Sequence, residues 1–332
     1  MPKAKKLPSG NYRTRVHVGN GKYKSFTAET KKESEYLASQ YLMSFHTDIN
    51  SFVSDLVKSY ITAKTDSLSP TTIKAYWTIY RNQIQLLKDI RANRFNQRLH
   101  QKWIDDISKT LKPKTVKNCN GLLVMALRFY DVPTKEVKLP QKEYLDYQVP
   151  TTEQVRSVIQ YFEHRGNFEM VKACYLASVG TLRRGEICGL MADDVDRENL
   201  TITVRRSLVQ TPDGKEVLKQ PKTYSSNRTI TMPKFIIDML PTKDRIVNLS
   251  LGMLTHDFNY AKKKLGYDFT FHSLRHYSAS IMHSQNIPTQ YIMARGGWKS
   301  ERTLLKIYRN TLDDYTKKFN DQTNDFFDKN LK

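Results

Sequence analysis

Gly180-Thr181-Leu182-Arg183-Arg184-Gly185-Glu186 and, ninety residues later, His272-Ser273-Leu274-Arg275-His276 are the two stretches on which the reading of this chain turns. Each places an arginine and a hydrogen-bonding partner three residues apart. That spacing puts both side chains on one side of a helical turn. Three shorter segments complete the order: Pro221-Lys222-Thr223 between the two stretches, then Gly296-Gly297-Trp298, then Ile307-Tyr308. Together they supply two planar cationic clamps, a lysine, a histidine, an indole N–H and a phenol. A phosphodiester in transfer needs these residue types: donors on the non-bridging oxygens, a proton source for the leaving oxygen and an attacking hydroxyl.

The rest of the composition agrees with a polyanionic partner. The 332 residues carry 54 Lys plus Arg against 33 Asp plus Glu, a formal charge of +21. A disordered tail would concentrate such an excess, whereas here it is spread along the chain, which points to nucleic acid. No apolar run of the length needed to span a bilayer is present, and the membrane reading is set aside. The start, Met1-Pro2-Lys3-Ala4-Lys5-Lys6, lacks the apolar region of a signal peptide, so a reducing cytoplasm is expected. Cys119, Cys174 and Cys188 show no paired spacing, and neither a metal site nor a disulfide framework follows.

The expected fold class is α+β and multidomain. Residues 7–28 read as strands, with Tyr12, Val16 and Val18 on one face and a hairpin turn at Gly19-Asn20-Gly21-Lys22. Thr30 and Glu33 read as a capping box opening a helix whose apolar side holds Tyr36, Leu37, Tyr41 and Leu42. The strands carry Arg13, Arg15, Lys22 and Lys24, candidates for DNA contact. Residues 49–131 read as all-α. Phe52 to Ile61 follow helical spacing, Ser69-Pro70 opens a second helix through Ile73, Tyr76, Trp77 and Tyr80, and another follows Lys112-Pro113-Lys114 through Val116, Leu122, Leu123, Met125, Ala126 and Phe129. Residues 132–150, punctuated by Pro133, Pro140 and Pro150, read as a linker. From Thr151 a capping box with Gln154 starts a mainly α domain with strands at Leu200–Val204 and Arg228–Met232 and a small β-ribbon around Pro212-Asp213-Gly214-Lys215.

These motifs resemble those of the tyrosine recombinase family, specifically the phage-type integrases, over most of residues 151–315. Residues 1–48 and 49–131 resemble, more weakly, the family's arm-binding and core-binding domains; residues 151–332 correspond to its catalytic domain. The resemblance implies that Arg183 and Arg275 clamp the phosphate and that Glu186 supports Arg183. By the same resemblance Lys222 is the general acid, with Lys219 and Lys215 as rivals. His272 would bond the phosphate and help manage the nucleophile's proton. Trp298, where many relatives have histidine, donates but cannot shuttle a proton. Tyr308 would be the nucleophile, Tyr315 falling seven residues too late. His276 reads as buried and structural, and Arg184 as a surface charge or DNA-backbone contact. Gly180-Thr181 inverts the family's more frequent Thr-Gly.

The implied activity is site-specific integration, and excision, through a 3′-phosphotyrosine, with no cofactor and no metal. The implied partners are double-stranded attachment sites, three further copies of the chain in a tetramer, a DNA-bending host protein and an excisionase. The implied setting is the nucleoid of a bacterial host. The apolar positions after Tyr308, from Leu312 to Phe327, are expected to pack on a neighbouring subunit or on their own domain. A chromosome-dimer resolvase, a type IB topoisomerase and a non-catalytic DNA-binding protein are the alternatives.

Overall fold

The computed structural model describes residues 3–17, 23–141, 148–219, 227–302, 304–305, 320–321 and 323–329. It divides into two compact units, Met1–Tyr144 and Leu145–Lys332. Among the described residues no helix is long and apolar enough to cross a membrane.

The first unit begins with a three-stranded antiparallel sheet, β1 (Lys5–Lys6), β2 (Tyr12–His17) and β3 (Tyr23–Ala28), in that order. The hairpin turn expected between β2 and β3, with Val18 and Lys22, lies outside the described residues. Helix α1 (Lys31–Asn50) packs on the sheet, and the Glu33 backbone N–H donates to Thr30 Oγ1 at 3.2 Å, one half of the expected box. The face it buries differs from the expected one. Ser34 and Ala38 are fully buried, while Tyr36 and Leu37 are exposed. Small side chains win because the sheet comes close: Thr14 and Ser34 share a hydroxyl–hydroxyl bond of 2.8 Å, and Ser34 Oγ donates to Phe26 O at 2.9 Å.

The helical part of this unit is α2 (Val53–Ala63), α3 (Pro70–Asn82), α4 (Gln97–Ser108) and α5 (Pro113–Phe129). Ser69 caps α3 by accepting from the Thr72 N–H, and Pro70 sits at the first helical position, as expected. Helix α4 has no counterpart among the elements expected from the sequence. Asn96 caps it, and His100, Trp103, Ile104 and Ile107 form its buried stripe. Trp103 Nε1 donates to Gln83 O at 3.1 Å, which satisfies the indole inside the core. Met125 and Phe129, expected in the core, are exposed; Phe129 instead stacks edge-on against Tyr60 at 5.5 Å under the Lys64 ammonium. The first part of the expected linker is tied down. Val132 is buried, Gln101 brackets Lys138 through its backbone N–H (2.8 Å) and C=O (3.0 Å), and Gln97 Nε2 reaches Glu136 O.

In the second unit α6 (Thr152–His164) opens with the expected reciprocal box between Thr151 and Gln154. Its buried residues Val155, Val158, Ile159 and Phe162 pack against α7 (Phe168–Ser178). After the short α8 (Arg184–Gly189) the chain forms the two strands and the ribbon expected there, and adds one short strand ahead of them. A three-stranded antiparallel sheet has the order β4 (Val195–Asp196), β5 (Thr201–Val204), β8 (Arg228–Thr231), and the ribbon β6 (Ser207–Gln210) and β7 (Glu216–Lys219) is an excursion between β5 and β8. The pairing of β5 with β8 brings Ile202 opposite Ile230 in the core, a long-range register that local patterning cannot supply. Helices α9 (Lys234–Met239), α10 (Leu251–Lys264), α11 (Phe271–Ser284) and α12 (Thr289–Gly296) follow, and α11 packs centrally against α7 and α12. The three cysteines are buried; burial pushes the Cys119 and Cys188 thiols up to about 11, so they are inert packing groups.

Candidate active site

The C-terminus of α12 organises the site. A helix end leaves carbonyls without intrahelical partners and carries partial negative charge. Gly297 closes α12 in the left-handed conformation (φ 63°, ψ 42°), so the last carbonyls point out of the helix. Three successive ones each take an arginine. Arg295 O accepts from Arg228 Nε at 2.7 Å, Gly296 O from Arg275 Nη2 at 2.6 Å, and Gly297 O from Arg183 Nη2 at 2.9 Å.

Arg183 is the N-cap residue of α8. Its backbone N–H donates to Glu186 Oε2 at 2.8 Å and its Nη1 to Glu186 Oε1 at 2.6 Å, while its side chain keeps 37% of its surface in solvent. Glu186 is nearly buried. Burial by itself would raise its pKa, but the hydrogen bond and charge of Arg228, then the Arg183 charge and backbone N–H, outweigh that and draw the carboxyl down to about 2.

Arg275 is 1% exposed. Its Nη1 donates to Thr181 O, its Nη2 to Gly296 O, and its guanidinium lies 3.9 Å from the centre of the Trp298 ring. Its Nε is buried and has no hydrogen-bond partner among the described residues. Burial, and then the Arg183 charge, work against the cation and lower its pKa, although an arginine stays charged under ordinary conditions. Thr181, which supplies that carbonyl, has φ 58°, a left-handed conformation that costs a β-branched residue strain. Glycine would meet that demand at this position, which accounts physically for a Thr-Gly order. Here the single Thr181 hydroxyl proton is shared between Gly180 O and Arg295 O, offsetting part of the strain.

His272 lies in the first turn of α11 and is exposed to solvent. The protein packed around its base, then the charges of Arg275 and Arg183, hold its pKa down to about 4, so the ring is neutral at pH 7 and able to accept a proton. His276 stacks edge-on beneath it at 4.8 Å; it is buried, and its pKa falls to about 3 for the same reason. Arg184 is exposed on the other side of the α8 start and reaches Thr255 Oγ1 of α10.

The fold thus gathers Arg183, Glu186, His272, Arg275 and Trp298 from three segments far apart in sequence. Lys222 and Tyr308 lie outside the described residues. Motif spacing alone does not single out Arg228 as a site residue. A signal is nevertheless present: Arg228 and Ile230 alternate inward on β8, and a charged residue at an inward strand position needs a buried partner.

A match to the phage integrase family over residues 148–314 spans half of the sequence. The chain belongs to the phage integrase family. It is accordingly a tyrosine recombinase, an enzyme that cuts and rejoins DNA at specific sites. The chain is also 24% identical to a tyrosine recombinase XerC-like protein of Caldanaerobacter subterraneus subsp. tengcongensis, over 95% of this chain and 96% of the relative. Among solved structures, the Tn1549 transposon integrase in complex with transposon right end DNA is similar in fold (TM-score 0.66, 17% identity, 80% of this chain and 99% of that one). So is the lambda integrase tetramer bound to a Holliday junction (TM-score 0.61, 18% identity, 93% and 95%).

The N-terminal candidates of this integrase do not share one face. Arg13 and Arg15 alternate outward on β2 and, with Lys3, Lys5 and Lys6, line an open groove of about 720 Å³. Lys24 pairs with the buried Val16, which puts it on the opposite, helix-facing side, where its ammonium lies 4.2 Å from the Tyr41 ring centre. Lys22 is outside the described residues.

Proposed function

We propose that this integrase cuts and rejoins the double-stranded attachment sites of a phage or other integrative element through a 3′-phosphotyrosine on Tyr308. The observation that carries the reading is the convergence of Arg183 and Arg275 on the end of α12 beside a neutral His272. Arg183 is partly open to solvent and already oriented by Glu186. Arg275 carries a buried N–H with no acceptor among the described residues, a donor that is costly to leave unmade and that a phosphate oxygen would satisfy.

The chemistry follows from these groups. The Tyr308 hydroxyl oxygen attacks phosphorus and forms the phosphotyrosine bond; the bond from phosphorus to the 5′ oxygen breaks. The phenol proton passes to His272, and the departing 5′ oxygen takes a proton from Lys222. Arg183 and Arg275 neutralise charge developing on the non-bridging oxygens, and the Trp298 indole N–H serves as a further donor. The phosphoryl bond energy stays in the protein–DNA link, so a 5′ hydroxyl can reverse the step without nucleotide hydrolysis.

The working assembly on DNA is a tetramer, like that of the lambda integrase on a Holliday junction. A DNA-bending host protein and an excisionase bias the direction of exchange, and the enzyme works on the host nucleoid. The outward basic face of β1 and β2 is the arm-site contact surface.

The test uses nicked duplexes drawn from DNA flanking the gene. Wild type should yield a denaturation-resistant protein–DNA adduct, and Tyr308→Phe should bind the same DNA without one. Salt-sensitive binding with no wild-type adduct would favour a binding protein, and adducts on arbitrary sequences would favour a topoisomerase.

A further inference from the structure

We propose that Arg228 is a positioning residue of the active site, one that neutralises Glu186 so that this carboxylate can orient Arg183 without cancelling its charge. The inference rests on the recombinase reading and adds a role for a residue outside the phosphate-contacting set.

The geometry is specific. Glu186 accepts from two arginines at once: Arg183 through its backbone N–H and Nη1, and Arg228 through Nη2 at 2.8 Å on Oε2 and Nη1 at 3.2 Å on Oε1. The two arginines are not equivalent. The Arg228 side chain is 6% exposed and that of Glu186 7%, whereas Arg183 keeps 37%. Arg228 and Glu186 are therefore the buried ion pair, with the fork-to-fork geometry that makes such a pair favourable. Arg183 is the cation left over at the surface.

That asymmetry has a chemical consequence. A carboxylate 2.6 Å from Arg183 would, on its own, offset much of the positive charge that a phosphate is to meet. With Arg228 closing the other side, the Glu186–Arg228 pair is neutral and Arg183 presents a whole charge outward. Arg228 Nε also donates to Arg295 O, next to the carbonyls that hold Arg275 and Arg183, so one guanidinium locks the carboxylate to the end of α12. Arg228 opens β8 and follows Lys222, the proposed general acid, by six residues in sequence.

The test compares adduct formation on the nicked duplex for wild type, Arg228→Gln, and the double variant Arg228→Gln/Glu186→Gln. DNA affinity and the circular-dichroism melt are measured in parallel. Arg228→Gln leaves a buried carboxylate balanced only by Arg183 and should slow cleavage about tenfold or more. The double variant restores neutrality beside Arg183, while the amide that replaces the carboxylate keeps an acceptor oxygen, and it should recover a large part of that loss. A group that only packs cannot be rescued by removing a second charge. Should Arg228→Gln fail to fold, Arg228→Lys serves: it keeps the charge but not the fork, and should cleave more slowly than wild type yet faster than Arg228→Gln. Arg228→Gln cleaving at the wild-type rate, a double variant slower than the single one, or Arg228→Lys as slow as Arg228→Gln would each overturn the role while wild-type adducts left the recombinase reading standing. Absence of an adduct from wild type would overturn both.

Discussion

The guanidinium of Arg275 lies over the Trp298 ring, 3.9 Å from its centre, with its two Nη nitrogens bonded to Thr181 O and Gly296 O. The indole covers a buried cation, which explains how tryptophan serves at a position where many relatives have histidine: its ring face is in use. Replacing Trp298 with alanine removes a desolvated cation–π contact of about 2 kcal/mol and should lower adduct formation roughly thirtyfold, with phenylalanine costing only a few-fold. Equal loss in both variants would show that the N–H, rather than the ring face, carries the function.

Gly296 is dictated by the same contact. A Cβ there would sit 1.9 Å from the Trp298 ring. Gly296→Ala must displace the indole or unwind the end of α12, so a destabilisation of roughly 2–3 kcal/mol is expected in denaturant unfolding, together with a cleavage defect like that of Trp298→Ala. A variant of wild-type stability and activity would mean that the ring is not packed on this glycine.

Acid should destabilise the second unit in two stages. His272 and His276 have folded-state pKa values depressed to about 4 and about 3, below the unfolded value near 6.5. The unfolded chain takes the proton first, so their contribution is complete above about pH 6.5 and is lost as pH falls from there towards 3. Glu186, depressed to about 2, behaves differently: its contribution is present above about pH 4.5 and is lost as pH falls through 2. Melting temperatures should decline between pH 7 and 5 in wild type and less steeply in His276→Gln.

The Glu186 shift corresponds to about 3 kcal/mol of stability near neutral pH. Glu186→Gln should lose stability of that order at pH 7, because Arg228 is left buried without its counter-charge, and should show a flatter acid limb below pH 4.5. Urea titrations at pH 7 and pH 3.5 measure both.

On the N-terminal sheet, Arg13→Gln and Arg15→Gln should each reduce the slope of log affinity against log salt by about 0.9 if each meets a phosphate. Lys24→Gln should leave the slope unchanged, since Lys24 stands over Tyr41 on the other side of the sheet. A slope reduced equally by all three would place DNA on a different surface.

Much of this architecture is readable locally. The Ser69-Pro70 and Thr151–Gln154 helix starts, the strand at Thr201–Val204 and the i, i+3 spacing of the Arg183 and Arg275 boxes depend on interactions within a few residues, and those interactions are written in neighbouring letters. Local patterning failed where the outcome depended on what the element would meet. Tyr36 and Leu37 are exposed because the sheet approaches the small face of α1 through Ser34 and Ala38. Helix α4 is hard to see in the sequence because its stripe alternates with Gln, Lys and Asp and includes a histidine, His100, whose core partner is Asn120 from α5.

By itself the sequence determined the chemical inventory and its order: a basic chain, two arginine boxes, a histidine, a tryptophan, and the lysine and tyrosine that complete the set. Residue types and short spacings need no fold to be read. Only the tertiary structure decided how the arginines divide their work. Arg183 faces solvent, Arg275 lies under Trp298, and Arg228 neutralises Glu186, because three successive carbonyls at one helix end draw three guanidinium groups from separate strands and helices. A hydrogen bond between residues 67 or 114 positions apart leaves no periodic trace in the chain; burial and the need to satisfy every buried polar group select it.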